Sequence, residues 1–148
     1  MAIPGRLPGA GTYFVTSVTS GRRRLFQVAA NAELFLETLQ AYRRQGHYKL
    51  HAFVVMPDHI HLLLTPQDET IERVMGLIKG GSSHRLGWKG PVWQRGFSDH
   101  RIRDQEDFRT RRAYIHQNPV RAHMVDLPEC YPYSSAYRAE VGEPYLSG

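Results

Sequence analysis

Apolar and polar positions change period several times along this chain, and each change marks an element. TYFVTSVT (12–19) is rich in β-branched and aromatic residues and predicts a strand, ended by SGRRR. Behind Asn31, which has the chemistry of an N-cap, Leu34, Phe35, Leu39 and Tyr42 recur at helical spacing until Gly46 stops the helix. YKLHAFVVM (48–56) predicts a second strand, Pro57-Asp58 a tight turn, and HIHLLLT (59–65) a third strand returning as a hairpin. Ile71, Val74, Met75 and Ile78 mark a second amphipathic helix, which Gly80-Gly81 is expected to end or distort. PVWQRGFSDHRIR (91–103) predicts a long fourth strand bulged at Gly96. A last helix is expected from Asp104, whose spacing to Asp107 resembles a capping arrangement, and it carries Phe108, Ala113, Tyr114 and Ile115.

The resulting order is βαββαβ followed by one more helix. Two right-handed crossovers around a central hairpin give a ferredoxin-like α+β fold, an antiparallel sheet with two helices on one face. The additional C-terminal helix can then lie across the other face. Residues 1–11 read as a flexible lead, 12–137 as a single domain and 138–148 as a tail. RNA-recognition modules share this layout, so the fold does not by itself select a function.

Composition narrows the classes. With 148 residues, 41% hydrophobic and 22% charged, the chain suits one soluble domain rather than a disordered segment. A single cysteine, Cys130, excludes a disulfide framework and a cysteine-based zinc finger, and fits a reducing cytoplasm. No stretch is long and apolar enough for a membrane span, and Pro and Gly interrupt the N-terminus where a signal peptide needs a continuous apolar run. The net charge is +5, carried by 16 arginines and 3 lysines. Arginine's planar fork suits phosphate and base stacking, so the bias points to nucleic acid and a nucleoid-associated protein, although a basic surface also serves solubility. Arg22, Arg23, Arg24, Arg101, Arg103, Arg111, Arg112 and Arg121 are the candidate phosphate contacts, and tyrosines and tryptophans could stack unpaired bases.

The chemistry concentrates on two histidines. In VVMPDHIHLLLTP (54–66), strand alternation puts His59, His61 and Leu63 on one face and Ile60, Leu62 and Leu64 on the other. Two converging imidazoles are a common start to a metal site, although in isolation this spacing more often marks two histidines on a half-exposed strand. On a continuous final helix, Tyr114 and Asn118 would share a face, with Gln117 and Arg121 beside them. Pro119 leaves two readings of Asn118 open: a residue aimed at a metal, or the N-cap of a following short helix.

MPDHIHLLL resembles the His-hydrophobic-His (HUH) signature of the single-tyrosine transposases of bacterial insertion sequences. WQRGFSDHRIRDQEDF, YIHQNPVRAHMV and YPYSSA are similar to the REP-associated tyrosine transposases, with the motifs in the same order over residues 12–137. The resemblance implies a divalent metal, Mg²⁺ or Mn²⁺, on His59, His61 and Asn118. It also implies Tyr114 as the nucleophile and single-stranded or hairpin DNA as the substrate, cleaved through a 5′-phosphotyrosine intermediate. KGGSSHRLG departs from the family, in which a continuous helix is usual. Insertion-sequence relatives pair up and REP-associated ones act alone, so a monomer is expected.

Other families with this spacing fit less well. A histidine-triad hydrolase would need a third histidine where Leu63 stands, and a cupin would need a glutamate among Leu64 to Gln67. A non-catalytic single-strand-binding module on the same fold remains as the alternative from another class.

Overall fold

A computed structural model describes residues 11–138, so the expected lead and tail lie outside the described residues except at Gly11 and Arg138. The elements are β1 (Tyr13–Val18), α1 (Ala29–Arg44), β2 (Tyr48–Val55), β3 (His59–Pro66), α2 (Ile71–Leu86), β4 (Ser98–Arg101) and α3 (Gln105–Arg121). Short 3-10 turns occupy Ser20–Arg22, Leu25–Gln27 and Pro128–Cys130. The sheet order is β2-β3-β1-β4 and every pairing is antiparallel. This is the expected ferredoxin-like order, and among the described residues no helix is long and apolar enough to cross a membrane.

Strand alternation divides the sheet between two cores. Val15, Phe53, Val55, Ile60, Leu62 and Leu64 face α1 and α2, where they meet Phe35, Leu39, Val74 and Ile78. Phe14, Ala52, Val54 and Leu63 face the other way and are covered by Phe108 and Ile115 of α3. Burying an aliphatic side chain of this size stabilises by about 1.5–3 kcal/mol, so both layers fix the strand register that positions the histidines.

Three local expectations require correction. The first is that α1 begins at Ala29 behind an extended Val28, and Asn31 does not cap it. The Leu25–Gln27 turn feeds the helix directly, and the Asn31 amide instead donates to the Leu25 carbonyl at 2.9 Å. Second, Gly80-Gly81 neither ends nor interrupts α2, which runs on to Leu86 and closes at a left-handed Gly87. Gly81 lies where Tyr42 of α1 crosses, close enough that a Cβ would collide with the phenol. Close helix packing outweighs the low helical propensity of glycine here. The third correction shortens the fourth strand to Ser98–Arg101. Upstream, Trp93 makes a single bridge to Thr19; Lys79 Nζ then donates to the Gln94 and Gly96 carbonyls, and Gly96 turns at φ 77°. Those carbonyls are thereby drawn toward α2 instead of a sheet partner.

The start of α3 follows its sequence closely. Asp104 Oδ1 accepts from the Asp107 amide at 2.8 Å, and Asp107 Oδ2 accepts from the Arg103 amide at 2.9 Å and from His100 Nε2 at 2.8 Å. These bonds satisfy amides at the helix N-terminus and tie α3 to β4, which sets where Tyr114 arrives.

Candidate active site

The histidine pair stands at the exit of the β2–β3 turn. Met56 N donates to the His59 carbonyl at 2.8 Å, and Thr19 N donates to the Asp58 carbonyl at 2.9 Å, so the turn is pinned both to itself and to the end of β1. His59 and His61 then fall on one face with ring centroids 4.9 Å apart and planes at 76°. Both δ nitrogens are engaged. His59 Nδ1 lies 2.7 Å from Asp58 Oδ1, whose other oxygen accepts from Arg22 Nη1 at 3.0 Å. His61 Nδ1 lies 2.7 Å from Thr16 Oγ1, its cross-strand neighbour on β1. Neither histidine makes a hydrogen bond through Nε2 among the described residues.

The electrostatics favour a neutral His61. Burial, helped by the neighbouring His59 and Arg121, pushes its pKa down to about 3, so at neutral pH the ring keeps a lone pair available as a metal donor. For Asp58, burial is the largest single influence and acts upward. The hydrogen bonds and charges of His59 and Arg22 outweigh it and hold the carboxyl below its usual range.

Helix α3 brings Tyr114 to these rings. Its ring meets His61 edge-on at 5.4 Å and Phe14 edge-on at 5.8 Å, while Phe14 stacks on His61 at 5.3 Å. Arg121 lies over the tyrosine ring at 4.2 Å and donates to the Tyr114 carbonyl at 3.2 Å. Tyr114 is nonetheless 42% exposed, so a substrate could reach it. Asn118 follows one turn later inside an unbroken helix that continues through Pro119 to Arg121. The N-cap reading of Asn118 is therefore incorrect: its carbonyl accepts from Ala122 N at 3.0 Å as an interior helical residue does.

Two imidazole donors of this kind could hold a borderline divalent cation. Two imidazoles with Nδ1 occupied and Nε2 open are arranged as metal-binding histidines are, each oriented by an outer partner. Among the described residues no three His, Cys, Asp or Glu side chains gather, so a third protein ligand would have to be of another type, such as an amide.

A sequence profile of the family described as "Transposase IS200 like" matches residues 10–118, a span containing His59, His61, Tyr114 and Asn118. The chain belongs to the IS200-like transposase family. Among curated proteins, the REP-associated tyrosine transposase of Escherichia coli K12 is 30% identical over 130 residues, covering 86% of this chain and 78% of its own. A Haemophilus influenzae relative is 29% identical over 153 residues, covering 91% of this chain and 85% of its own. Among solved structures, a REP-associated tyrosine transposase bound to a REP hairpin aligns over 99% of both chains, with a TM-score of 0.80 and 25% identity.

Within this IS200-like fold the candidate arginines divide into groups. Arg22 pairs with Asp58, Arg23 donates to the Ser20 and Pro91 carbonyls, and Arg24 donates to Gln27, all beside the histidine end of β1. Arg101 pairs with Tyr13 at one end of β1 and His59 with Val18 at the other, so the two stand five residue steps apart along the strand, or about 17 Å. Arg103 and Arg111 each lie 3.5 Å from Asp107, Arg111 also sits over Phe14, and Arg112 sits over Phe108. Arg121 is the member of the group that lies over the Tyr114 ring. The sequence reading missed Phe14, Thr16 and Asp58. Asp58 was visible as the carboxylate next to His59, whereas Phe14 and Thr16 join the site through strand register alone.

Proposed function

We propose that this transposase cleaves and rejoins single-stranded DNA beside hairpins, with Tyr114 as the nucleophile and a divalent metal at the histidine pair. The observation that carries the proposal is the packing of Tyr114 against His61 within one chain, which brings a phenol to two imidazoles whose ε nitrogens are open. Tyr114 meets His61 of its own chain, an arrangement in which a single copy could carry out the cleavage. The hairpin substrate is proposed by likeness to the relative solved with a REP hairpin.

The residue types suit the reaction. A phosphodiester resists nucleophiles because its oxygens are anionic. His59 and His61 through Nε2, with the Asn118 amide oxygen, would hold Mg²⁺ or Mn²⁺; all three are neutral donors. When bound, the cation supplies Lewis-acid polarisation of the phosphate and leaves its full charge for the substrate. Arg121 above the Tyr114 ring places a positive charge beside the group proposed to attack the phosphate. Attack by Tyr114 Oη on phosphorus forms the phosphotyrosine and expels a 3′-hydroxyl. Phenoxide is a better leaving group than an alkoxide, so a 3′-hydroxyl can later reverse the step and rejoin DNA.

Strand polarity tests this. A hairpin with single-stranded flanks is labelled at either end and incubated with the protein and Mn²⁺. The label should become protein-linked only when it lies on the 3′ side of the break. Linkage of the 5′-side fragment, or cleavage with no covalent species, would contradict the proposal.

A further inference from the structure

Trp88 stands apart from both cores. It follows the left-handed Gly87 that closes α2, and it is 45% exposed, an unusual position for the largest side chain in the repertoire. The far end of its loop is nevertheless fixed. Ser20 N donates to the Val92 carbonyl at 2.9 Å, and Gln94 N donates to the Val18 carbonyl at 2.8 Å, which lays residues 92–94 along the exit of β1. Arg23 is fixed as well, because Nε donates to Ser20 O and Nη2 to Pro91 O, both at 3.1 Å. Those two bonds hold its guanidinium 5.6 Å from the indole centroid.

The Arg23 loop adjoins the turn that carries the first histidine. Thr19 Oγ1 lies 2.7 Å from the Arg23 carbonyl and 3.0 Å from the Asp58 carbonyl, so one hydroxyl bridges the arginine loop and the turn that carries His59. Positive charge accompanies both members of the pair along the chain: Lys89 follows Trp88, Arg22 and Arg24 flank Arg23, and all three are exposed. A flat aromatic ring with positive charge around it matches an unpaired base flanked by its phosphates. It does not match a protein hot spot, which needs apolar neighbours that exclude water.

We propose that Trp88 and Arg23 form a stacking platform for an unpaired nucleobase of the DNA strand entering the histidine site. The proposal rests on the DNA substrate reading above. Stacking is sequence-tolerant, so the platform would hold the strand in place more than read it.

Two hairpins test the platform, one with unpaired thymidines on both flanks and one with abasic residues in their place. Binding is followed by anisotropy of a labelled hairpin and by tryptophan emission. The second tryptophan, Trp93, is buried and donates to Ser82 Oγ, so it contributes a steady background. The thymidine flank should bind about tenfold more tightly than the abasic one and quench the exposed emission. Trp88→Ala should abolish that preference, and Trp88→Phe should keep most of it. Equal binding of both hairpins with unchanged emission would overturn the platform and leave the DNA reading standing. Binding of neither hairpin would overturn both.

Discussion

Thr16 and His61 face each other in the β1–β3 register, and the threonine Oγ1 lies 2.7 Å from His61 Nδ1. A threonine that accepts from Nδ1 would fix the tautomer that presents the Nε2 lone pair, as the Asp58 carboxylate would for His59. Thr16→Val preserves the β-branched shape and removes the partner. It should weaken Mn²⁺ binding by about 10–100-fold with the circular dichroism unchanged, and Asp58→Ala should do likewise. Arg22→Ala should matter much less, since the arginine of that ion pair is 63% exposed. Calorimetric titration of the metal in the absence of DNA measures all three. Wild-type affinity in Thr16→Val would remove the threonine from any orienting role.

The Asp107 network predicts an acid limb of stability. Burial acts upward on this carboxyl, but the Arg103 amide bond and the His100 bond and charge outweigh it and hold the pKa at about 2. The folded value is below the ordinary one near 3.8, so the contribution is complete above about pH 4 and is lost as the pH falls toward 2. At pH 6, Asp107→Asn should be less stable than wild type by roughly 2 kcal/mol, the scale of hydrogen bonds to a charged group. The gap should close on acidification, as read by urea midpoints between pH 6 and pH 2. A gap independent of pH would mean that the carboxylate charge is not what the network uses.

The two central glycines of α2 should respond in opposite ways. A Cβ at Gly80 meets nothing within 4 Å, so Gly80→Ala should stabilise by up to about 1 kcal/mol through helical propensity. At Gly81 the same carbon meets the Tyr42 phenol, so Gly81→Ala should lose that gain or become destabilising. Thermal unfolding of the two variants compares them directly, and equal stabilisation would show that Tyr42 yields freely.

The sequence disclosed the fold wherever period and burial coincide. In β3, Ile60, Leu62 and Leu64 alternate with His59 and His61, and the two sets enter different environments as the spacing requires. The Asp104/Asp107 spacing likewise located the start of α3 because capping is a local interaction. Local signals failed where a distant partner decided the outcome. Tyr42 crosses at Gly81 and keeps α2 continuous; Lys79 gathers the carbonyls that strand pairing would have used; the turn before α1 makes an N-cap at Asn31 unnecessary. At the site, His59, His61 and Tyr114 were legible from spacing and resemblance. Phe14 and Thr16 were not, because β1 resembles any other buried strand until its register with β3 is known.

Tyr114 is the group on which the proposed reaction depends, and replacing its hydroxyl tests that dependence most directly. Tyr114→Phe retains the ring that packs against His61 and Phe14 and removes only the oxygen. With a 3′-labelled hairpin and Mn²⁺, wild type should give a covalent species that survives denaturing electrophoresis. The variant should bind the hairpin within about twofold of wild type, because the cations that hold phosphate are unchanged, yet give no such species. A covalent adduct formed by Tyr114→Phe would contradict the assignment and place the nucleophile on another residue.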